Sequence, residues 1–345
     1  MGQSERAPPA GAAARDHIAT ARTRLLAAFG APSGDIIWTS GCTEADALAV
    51  IGAARVRPGK IVTTTIEHPA VTNAVRGLAT DREIELVAPD ASGVIDPDAM
   101  AAASVGAAVV AVVMVQNELG IVQPIAAITH AIRKRSPDCH IHIDAAQAFG
   151  KVPLDVTALR ADSVAIAGHK FHAPKGLGAL WLRAGVELAP LWTGGGQQGG
   201  RRGGTQDAGA RLGLAAERAV AELVTARTRW LELAGHITSR LSARDVPFRQ
   251  LVPDQRRAPH ILALGFPDVP ATALRTVLAS RGVYLSTGSA CAERDAKPSA
   301  ALAAIALPEH TGMCRLSFAL DTTMEDVEAA TEVLADVALG LANKA

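Results

Sequence analysis

Lys170 closes the stretch Ala167-Gly168-His169-Lys170, which ends a short apolar run begun at Ser163 and precedes a loop carrying Pro174, Gly176 and Gly178. A lysine at the end of a buried strand is partly desolvated, which favours the neutral amine and equips it to form a Schiff base. Upstream, the strand-like run His140-Ile141-His142-Ile143-Asp144 ends in an aspartate. A carboxylate in that place is the usual partner of a pyridinium nitrogen, which it keeps protonated so that the ring withdraws electrons. Together the two residues point to pyridoxal phosphate. Taken singly, each has an ordinary reading, since most lysines are solvated and many strand-end aspartates cap the next helix.

Other segments suit a phosphate-bearing cofactor. Thr39-Ser40-Gly41-Cys42-Thr43-Glu44 sits where an irregular loop enters a helix, so free backbone N–H groups and the Thr43 hydroxyl could hold a phosphate. A plain N-cap with Glu44 in the first turn accounts for the same residues. The glycine-rich run 194–205 lacks the Lys-Ser/Thr ending of a Walker loop. It reads either as a linker or, through Arg201, Arg202 and Thr205, as an anion site. His140, His142 and Asp144 share one strand face, an H-x-H-x-D pattern of metallohydrolases. Ala145 stands where that pattern needs an adjoining histidine, and no metal ligand is assigned.

The elements that must carry these residues follow from periodicity. Strand-like runs at 61–65, 85–88, 107–115, 141–144, 163–167 and 178–182 alternate with helical patterns at 45–54, 70–78, 125–135 and 156–159. That rhythm predicts an α/β fold with a mostly parallel, doubly wound sheet. Ligands of such sheets bind at the C-terminal strand edge, where Asp144 and Lys170 fall. An amphipathic helix from near Ala208 to about Arg240 is expected to link this domain to a compact α+β unit. The latter shows strand-like 261–264, 283–285 and 314–319 and a helix near 271–280. The boundary is set near residue 225, giving a large domain of residues 1–225 and a small C-terminal domain of residues 226–345.

With 345 residues, 49% of them hydrophobic, the chain can bury a large core. Lys+Arg and Asp+Glu are equal at 34 each, which removes a general electrostatic case for nucleic acid or anionic membrane as partner. The most apolar run, 107–115, is too short to span a bilayer. The N-terminus is polar and Pro/Ala-rich without an apolar signal region, so a cytoplasmic location is expected. Cys42, Cys139, Cys291 and Cys314 are widely spaced, which fits reduced thiols.

Eight motifs in order resemble the cysteine desulfurases of class V aminotransferase type, over nearly the whole chain from about residue 15. They are Ser-Gly-Cys-Thr-Glu at 40–44, Glu67-His68-Pro69-Ala70-Val71, Gln116-Asn117-Glu118-Leu119-Gly120, Asp144-Ala145-Ala146-Gln147, Gly168-His169-Lys170, the 194–205 loop, Ser286-Thr287-Gly288-Ser289-Ala290-Cys291 and Arg315-Leu316-Ser317. The resemblance implies fold type I of the pyridoxal-phosphate enzymes and conversion of L-cysteine to L-alanine. Lys170 then carries the cofactor and moves protons, and His68 stacks on its ring as acid or base. Asp144 pairs with the pyridinium nitrogen and Gln147 with the phenolic oxygen. Thr43, His169 and Thr205 hold the phosphate, Thr205 from the second subunit of a homodimer with shared sites. Cys42 belongs with Thr43 among the cofactor-binding positions, although by its own chemistry it reads, like Cys139 and Cys314, as a small buried hydrophobe. Asn117 touches the cofactor and, with Arg315, takes the substrate carboxylate.

Cys291 is the implied nucleophile: its thiolate takes the substrate sulfur as a persulfide and passes it to an acceptor protein, as in iron-sulfur cluster assembly. The 291–315 interval resembles the mobile-loop group of the family, the NifS/IscS-like one. The chain departs from the family pattern at three places. It has no counterpart of the N-terminal Asp-Asn-Ala-Ala-Thr-Thr type strand, which leaves a start further upstream or a more open site. Ala167 replaces a common serine, and Phe318-Ala319-Leu320-Asp321 lacks a Gly-Arg pair. Selenocysteine lyase, cysteine-type β-lyase and a non-catalytic scaffold are the alternatives.

Overall fold

A computed structural model of the chain describes residues 9–201, 209–287, 299–308 and 310–342. These fall into two compact units. The first draws on Met1–Val87, Asp96–Met114 and Pro124–Glu222, the second on Ala88–Ile95, Val115–Gln123 and Leu223–Ala345.

The first unit is built on seven strands: β1 (Asp35–Thr39), β2 (Lys60–Thr64), β3 (Ile84–Val87), β4 (Ala107–Val113), β5 (His140–Asp144), β6 (Ser163–Ala167) and β7 (Gly178–Leu182). Their order is β1-β7-β6-β5-β4-β2-β3. All run parallel except β7, which pairs antiparallel with both β6 and β1. Strands β5, β6 and β7 are buried along their whole length, the pattern expected when helices cover both faces of a sheet. The predicted α/β class and mostly parallel sheet are what the chain adopts.

The helices of this unit are α1 (Pro9–Ala28), α2 (Cys42–Val56), α3 (Pro69–Arg76), α4 (Pro97–Ala103), α5 (Ile125–Arg135) and α6 (Gly209–Ala221). α2 buries Ala45, Leu48, Ala49 and Ala53, one stripe at helical spacing, in a core shared with Ile61 of β2, Val109 of β4 and Leu180 of β7. α3 and α4 each start with proline behind a side-chain cap, His68 and Asp96 respectively.

Two helical expectations need correction. Residues 156–159 form turns, because Asp155 Oδ1 accepts the N–H groups of Thr157 at 2.8 Å and Ala158 at 3.0 Å and so satisfies them locally. The expected helix from 208 to 240 is two helices, α6 and α7 (Leu223–Ala243), with the break at Glu222, where the chain leaves the first unit for the second.

The second unit contains α7, β8 (Arg249–Gln250), β9 (Ile261–Phe266), α8 (Ala271–Ser280), α9 (Ala300–Ala304), β10 (Gly312–Ser317) and α10 (Met324–Ala342). Its antiparallel sheet has the order β10-β9-β8. Trp230, Leu233 and Ile237 of α7 join Leu264 and Phe266 of β9, Leu278 of α8 and Leu334 of α10 in one core. Residues 283–285 form no strand; the next residue, Ser286, makes an isolated bridge with Arg315 of β10. Among the described residues, no helix is long and apolar enough to cross a membrane.

Candidate active site

The parallel strands of the first unit deliver their C-terminal ends to one edge of the sheet, and seven expected site residues lie at or just beyond those ends. β1 leads through Ser40 and Gly41 into α2 with Cys42 and Thr43, β2 leads to His68, β5 ends in Asp144 with Gln147 in the next turn, and β6 runs into Gly168-His169-Lys170.

Lys170 sits in a single 3-10 turn, Gly168–Phe171, immediately after β6. A glycine is needed to start that turn: a Cβ at position 168 would lie 2.7 Å from Leu212 Cδ1, 2.9 Å from the Leu177 carbonyl and 3.0 Å from Ala173 Cβ. The turn is anchored by Phe171, whose ring lies 4.8 Å from that of Phe149, itself 5.1 Å from Phe29. Lys170 is half-buried and His169 exposed. Burial, then the charges of Lys170, Lys175 and Lys151, hold the His169 imidazole below its ordinary pKa.

Asp144 is buried, and its Oδ1 accepts the Ala146 N–H at 2.8 Å and the Cys42 thiol at 3.5 Å. Burial raises its pKa, against the pull of His68 and Lys170. Burial lowers the pKa of His68, which also feels Asp144 and Lys170. Its Nδ1 accepts the Ala70 N–H at 3.1 Å, the cap of α3, so the neutral ring carries its proton on Nε2.

The turn into α2 has Gly41 in the cap position and no side-chain cap. The first N–H groups of that helix therefore lack an intrahelical acceptor. Glu44 turns back to take the N–H and hydroxyl of Ser40 at 2.6 and 2.7 Å. Thr43 is exposed and Gln147 half-buried. Gln198 of the glycine-rich segment occupies the open side of β1, accepting the Trp38 N–H at 2.7 Å and donating to its carbonyl at 3.3 Å. Arg201 is paired with Asp35 at 2.7 Å, so the anion site expected of this loop loses one of its two arginines to a carboxylate. Arg202 and Thr205 lie outside the described residues.

Two buried carboxyls escaped the sequence reading. Asp46 sits one turn beyond Cys42, with Oδ1 3.1 Å from His142 Nε2 and 3.7 Å from the Cys42 Sγ. Glu67 Oε1 accepts the Thr64 hydroxyl at 2.6 Å and the Val113 N–H at 2.9 Å, and burial with the Asp144 charge pushes it up to about 8. An acid on the apolar face of a helix, as Asp46 is among Ala45, Leu48 and Ala49, was the available signal. His140 and His142 both bond to the Ser163 hydroxyl, at 2.8 and 2.9 Å. They are thereby engaged away from Asp144, with which they would form the metallohydrolase pattern.

The second unit holds Asn117 and Arg315. Arg315 Nη1 donates to the Asn117 carbonyl at 2.5 Å, and Nε is buried with no partner among the described residues. Burial lowers the Arg315 pKa while Glu118 opposes it. The Asn117 loop is held by Gln116, whose Oε1 accepts the N–H groups of Glu118 and Leu119 at 2.8 and 2.7 Å. Cys291 lies outside the described residues. Cys139 and Cys314 are buried free thiols pushed up to about 12 by burial, as suits structural cysteines.

The family model for aminotransferase class-V matches residues 4–330. A cysteine desulfurase of a Nostoc species is 35% identical over 93% of this chain and 82% of its own length. The chain belongs to the cysteine desulfurases of the class-V aminotransferase family. The cysteine desulfurase IscS of Methanosarcina thermophila is 33% identical over 96% of this chain and 84% of its own. Among solved structures, a NifS-like protein superimposes with a TM-score of 0.88 at 28% identity, covering 97% of this chain and 91% of that one. This family uses pyridoxal phosphate.

Proposed function

We propose that this desulfurase converts L-cysteine to L-alanine with Lys170, His68 and Cys291 as its catalytic residues, and passes the sulfur on as a persulfide. The observation that carries the reading is the buried Asp144 carboxylate with His68 and Lys170 close enough to act on its charge. A buried carboxylate is costly without a cation, and a pyridinium N–H supplies one. The start of α2 carries no side-chain cap, so its N-terminus is where the phosphate would be held. At Gly41 a Cβ would meet nothing within 4 Å, so space for the phosphate is available there. Both features fit pyridoxal phosphate.

When bound, the cofactor supplies an electron sink that loosens the Cα–H and Cβ–S bonds of the substrate. Lys170 anchors it and moves the α-proton. Asp144 meets the pyridine nitrogen, Gln147 the phenolic oxygen, and Thr43, His169 and Thr205 the phosphate, with Thr205 supplied by a second copy of the chain in a homodimer. His68, held with its proton on Nε2, is set to donate a hydrogen bond. Arg315 takes the substrate carboxylate with Asn117, and its buried Nε, without a partner among the described residues, supports that assignment. The Cys291 thiolate attacks the substrate sulfur: a sulfur-sulfur bond forms, the Cβ–S bond breaks, and the carbon takes up a proton to leave alanine. The persulfide then goes to an acceptor protein in the cytoplasm.

The test is the visible spectrum of the purified protein supplied with pyridoxal phosphate. A protein-bound band absent from Lys170→Ala supports the assignment of the cofactor to Lys170; an identical band in the variant contradicts it.

A further inference from the structure

The carboxylate expected to meet the pyridine nitrogen does not stand alone. Cys42, Asp46 and Asp144 bring one thiol sulfur and two carboxylate oxygens within 4.8 Å of one another. Asp46 is fully buried, and its Oδ2 has no partner among the described residues. Beyond Asp46 the contacts continue through His142 at 3.1 Å, Ser163 at 2.9 Å and His140 at 2.8 Å. Like charges this close in a low-dielectric site cannot all ionise, so the cluster holds one negative charge rather than two or three.

We infer that Cys42 and Asp46 are positioning residues for the cofactor: a neutral Asp46 and the Cys42 thiol confine the negative charge of the cluster to Asp144. The inference rests on the cofactor reading above and deepens it.

Once Asp46 is neutral, the hydrogen bonds of the chain run in one direction. Burial and the charge on Asp144 raise Asp46 well above the carboxylate range, and burial lowers His142 to about 3 and His140 to about 4. Protonated Asp46 then donates to His142 Nε2, His142 Nδ1–H to the Ser163 oxygen, and the Ser163 hydroxyl to His140 Nε2. The single thiol hydrogen of Cys42 goes to Asp144 Oδ1, because Asp46 needs none. Burial and both carboxylates push the thiol well above its ordinary pKa, which keeps that hydrogen in place. The other titratable groups facing Asp144 are Glu67, raised to about 8 and neutral at pH 7, neutral His68, and Lys170. Asp144 is therefore the acid of the cluster that a cation stabilises. Asp46 and Cys42 touch neither the ring nor the substrate in this scheme; they act through Asp144.

The decisive measurement is the infrared spectrum of the full-length protein, with and without pyridoxal phosphate, for wild type and Asp46→Asn. One protonated-acid carbonyl component is expected to be lost in Asp46→Asn, while that of neutral Glu67 stays. Retention of every such component, with loss of carboxylate intensity instead, means that Asp46 is charged and overturns the inference. Because the cofactor-free protein also reports, failure to take up the cofactor would sink the functional reading and leave this question decided separately. A second arm measures pyridoxal phosphate affinity by fluorescence quenching. Cys42→Ala is expected to weaken it by about tenfold, the loss of a donor to a charged acceptor, and Cys42→Ser to restore most of it. Equal affinities for Ala and Ser would show packing only and overturn the role of the thiol. One equivalent of divalent metal in the wild type, lost in Cys42→Ala, would overturn the scheme as well.

Discussion

Arg315 gives Nη1 to the backbone carbonyl of Asn117 at 2.5 Å and leaves its buried Nε without a partner among the described residues. A guanidinium committed on one edge and open on the other can take a carboxylate without reorganising. Lysine has a point charge and cannot serve both edges. Arg315→Lys is therefore expected to raise KM for L-cysteine by roughly 10- to 100-fold, from the loss of about 1.5–3 kcal/mol of charge-assisted bonding. Steady-state alanine production measures it; an unchanged KM would remove Arg315 from substrate binding.

His68 combines a structural bond with a proposed chemical one. Its Nδ1 caps α3, a job that asparagine performs equally well and alanine does not. His68→Asn should keep the wild-type melting temperature, whereas His68→Ala should lose about 1 kcal/mol of stability. Both are expected to lose alanine production to a similar extent. Differential scanning calorimetry beside an alanine assay separates the two roles, and an active His68→Asn would contradict the catalytic one.

Glu67 predicts a signed pH effect. Its pKa in the folded protein, about 8, lies above its unfolded value, so the folded state holds a proton that the unfolded chain gives up. The stability tied to that proton is fully present below the unfolded pKa and is lost as pH rises to about 8. Glutamine mimics the protonated form and keeps an oxygen for Thr64 and Val113. The difference in urea midpoint between Glu67→Gln and wild type should grow in favour of the variant from pH 5 to pH 9. A difference independent of pH would show that Glu67 is ionised in the fold.

Gly168 tests the turn that carries Lys170. A methyl group there meets Leu212, the Leu177 carbonyl and Ala173 at 3.0 Å or less, and one of the three is backbone that cannot step aside cheaply. Gly168→Ala is expected to cost about 1–3 kcal/mol by overpacking and to weaken cofactor retention with it. A melting curve and the cofactor content after dialysis check both; an unaffected protein would mean that the turn is looser than described.

Much of the first unit could be read from the chain because buried parallel strands are short apolar runs between turn residues. The expected ranges 163–167 and 178–182 coincide with β6 and β7, and 125–135 with α5. β1 was absent from that reading: Asp35–Thr39 starts on an exposed acid and runs straight into the Thr39-Ser40-Gly41 segment that read as an irregular loop. The break at Glu222 was invisible because amphipathic spacing continues across it. The Asp46 network was out of reach for a different reason. Its partner His142 is 96 positions away, and Cys42 and Asp144 are 102 apart, so only the fold brings them together. Arg315 and Asn117, 198 positions apart, were paired through family resemblance rather than spacing.

The most direct test of the proposed activity is to incubate the pyridoxal-phosphate-loaded protein with L-cysteine and measure alanine together with the mass of the peptide containing Cys291. The account predicts alanine as product and one added sulfur atom on Cys291, with neither formed by Cys291→Ser. Bound cofactor with no alanine, or pyruvate and free sulfide in place of alanine and persulfide, would contradict it.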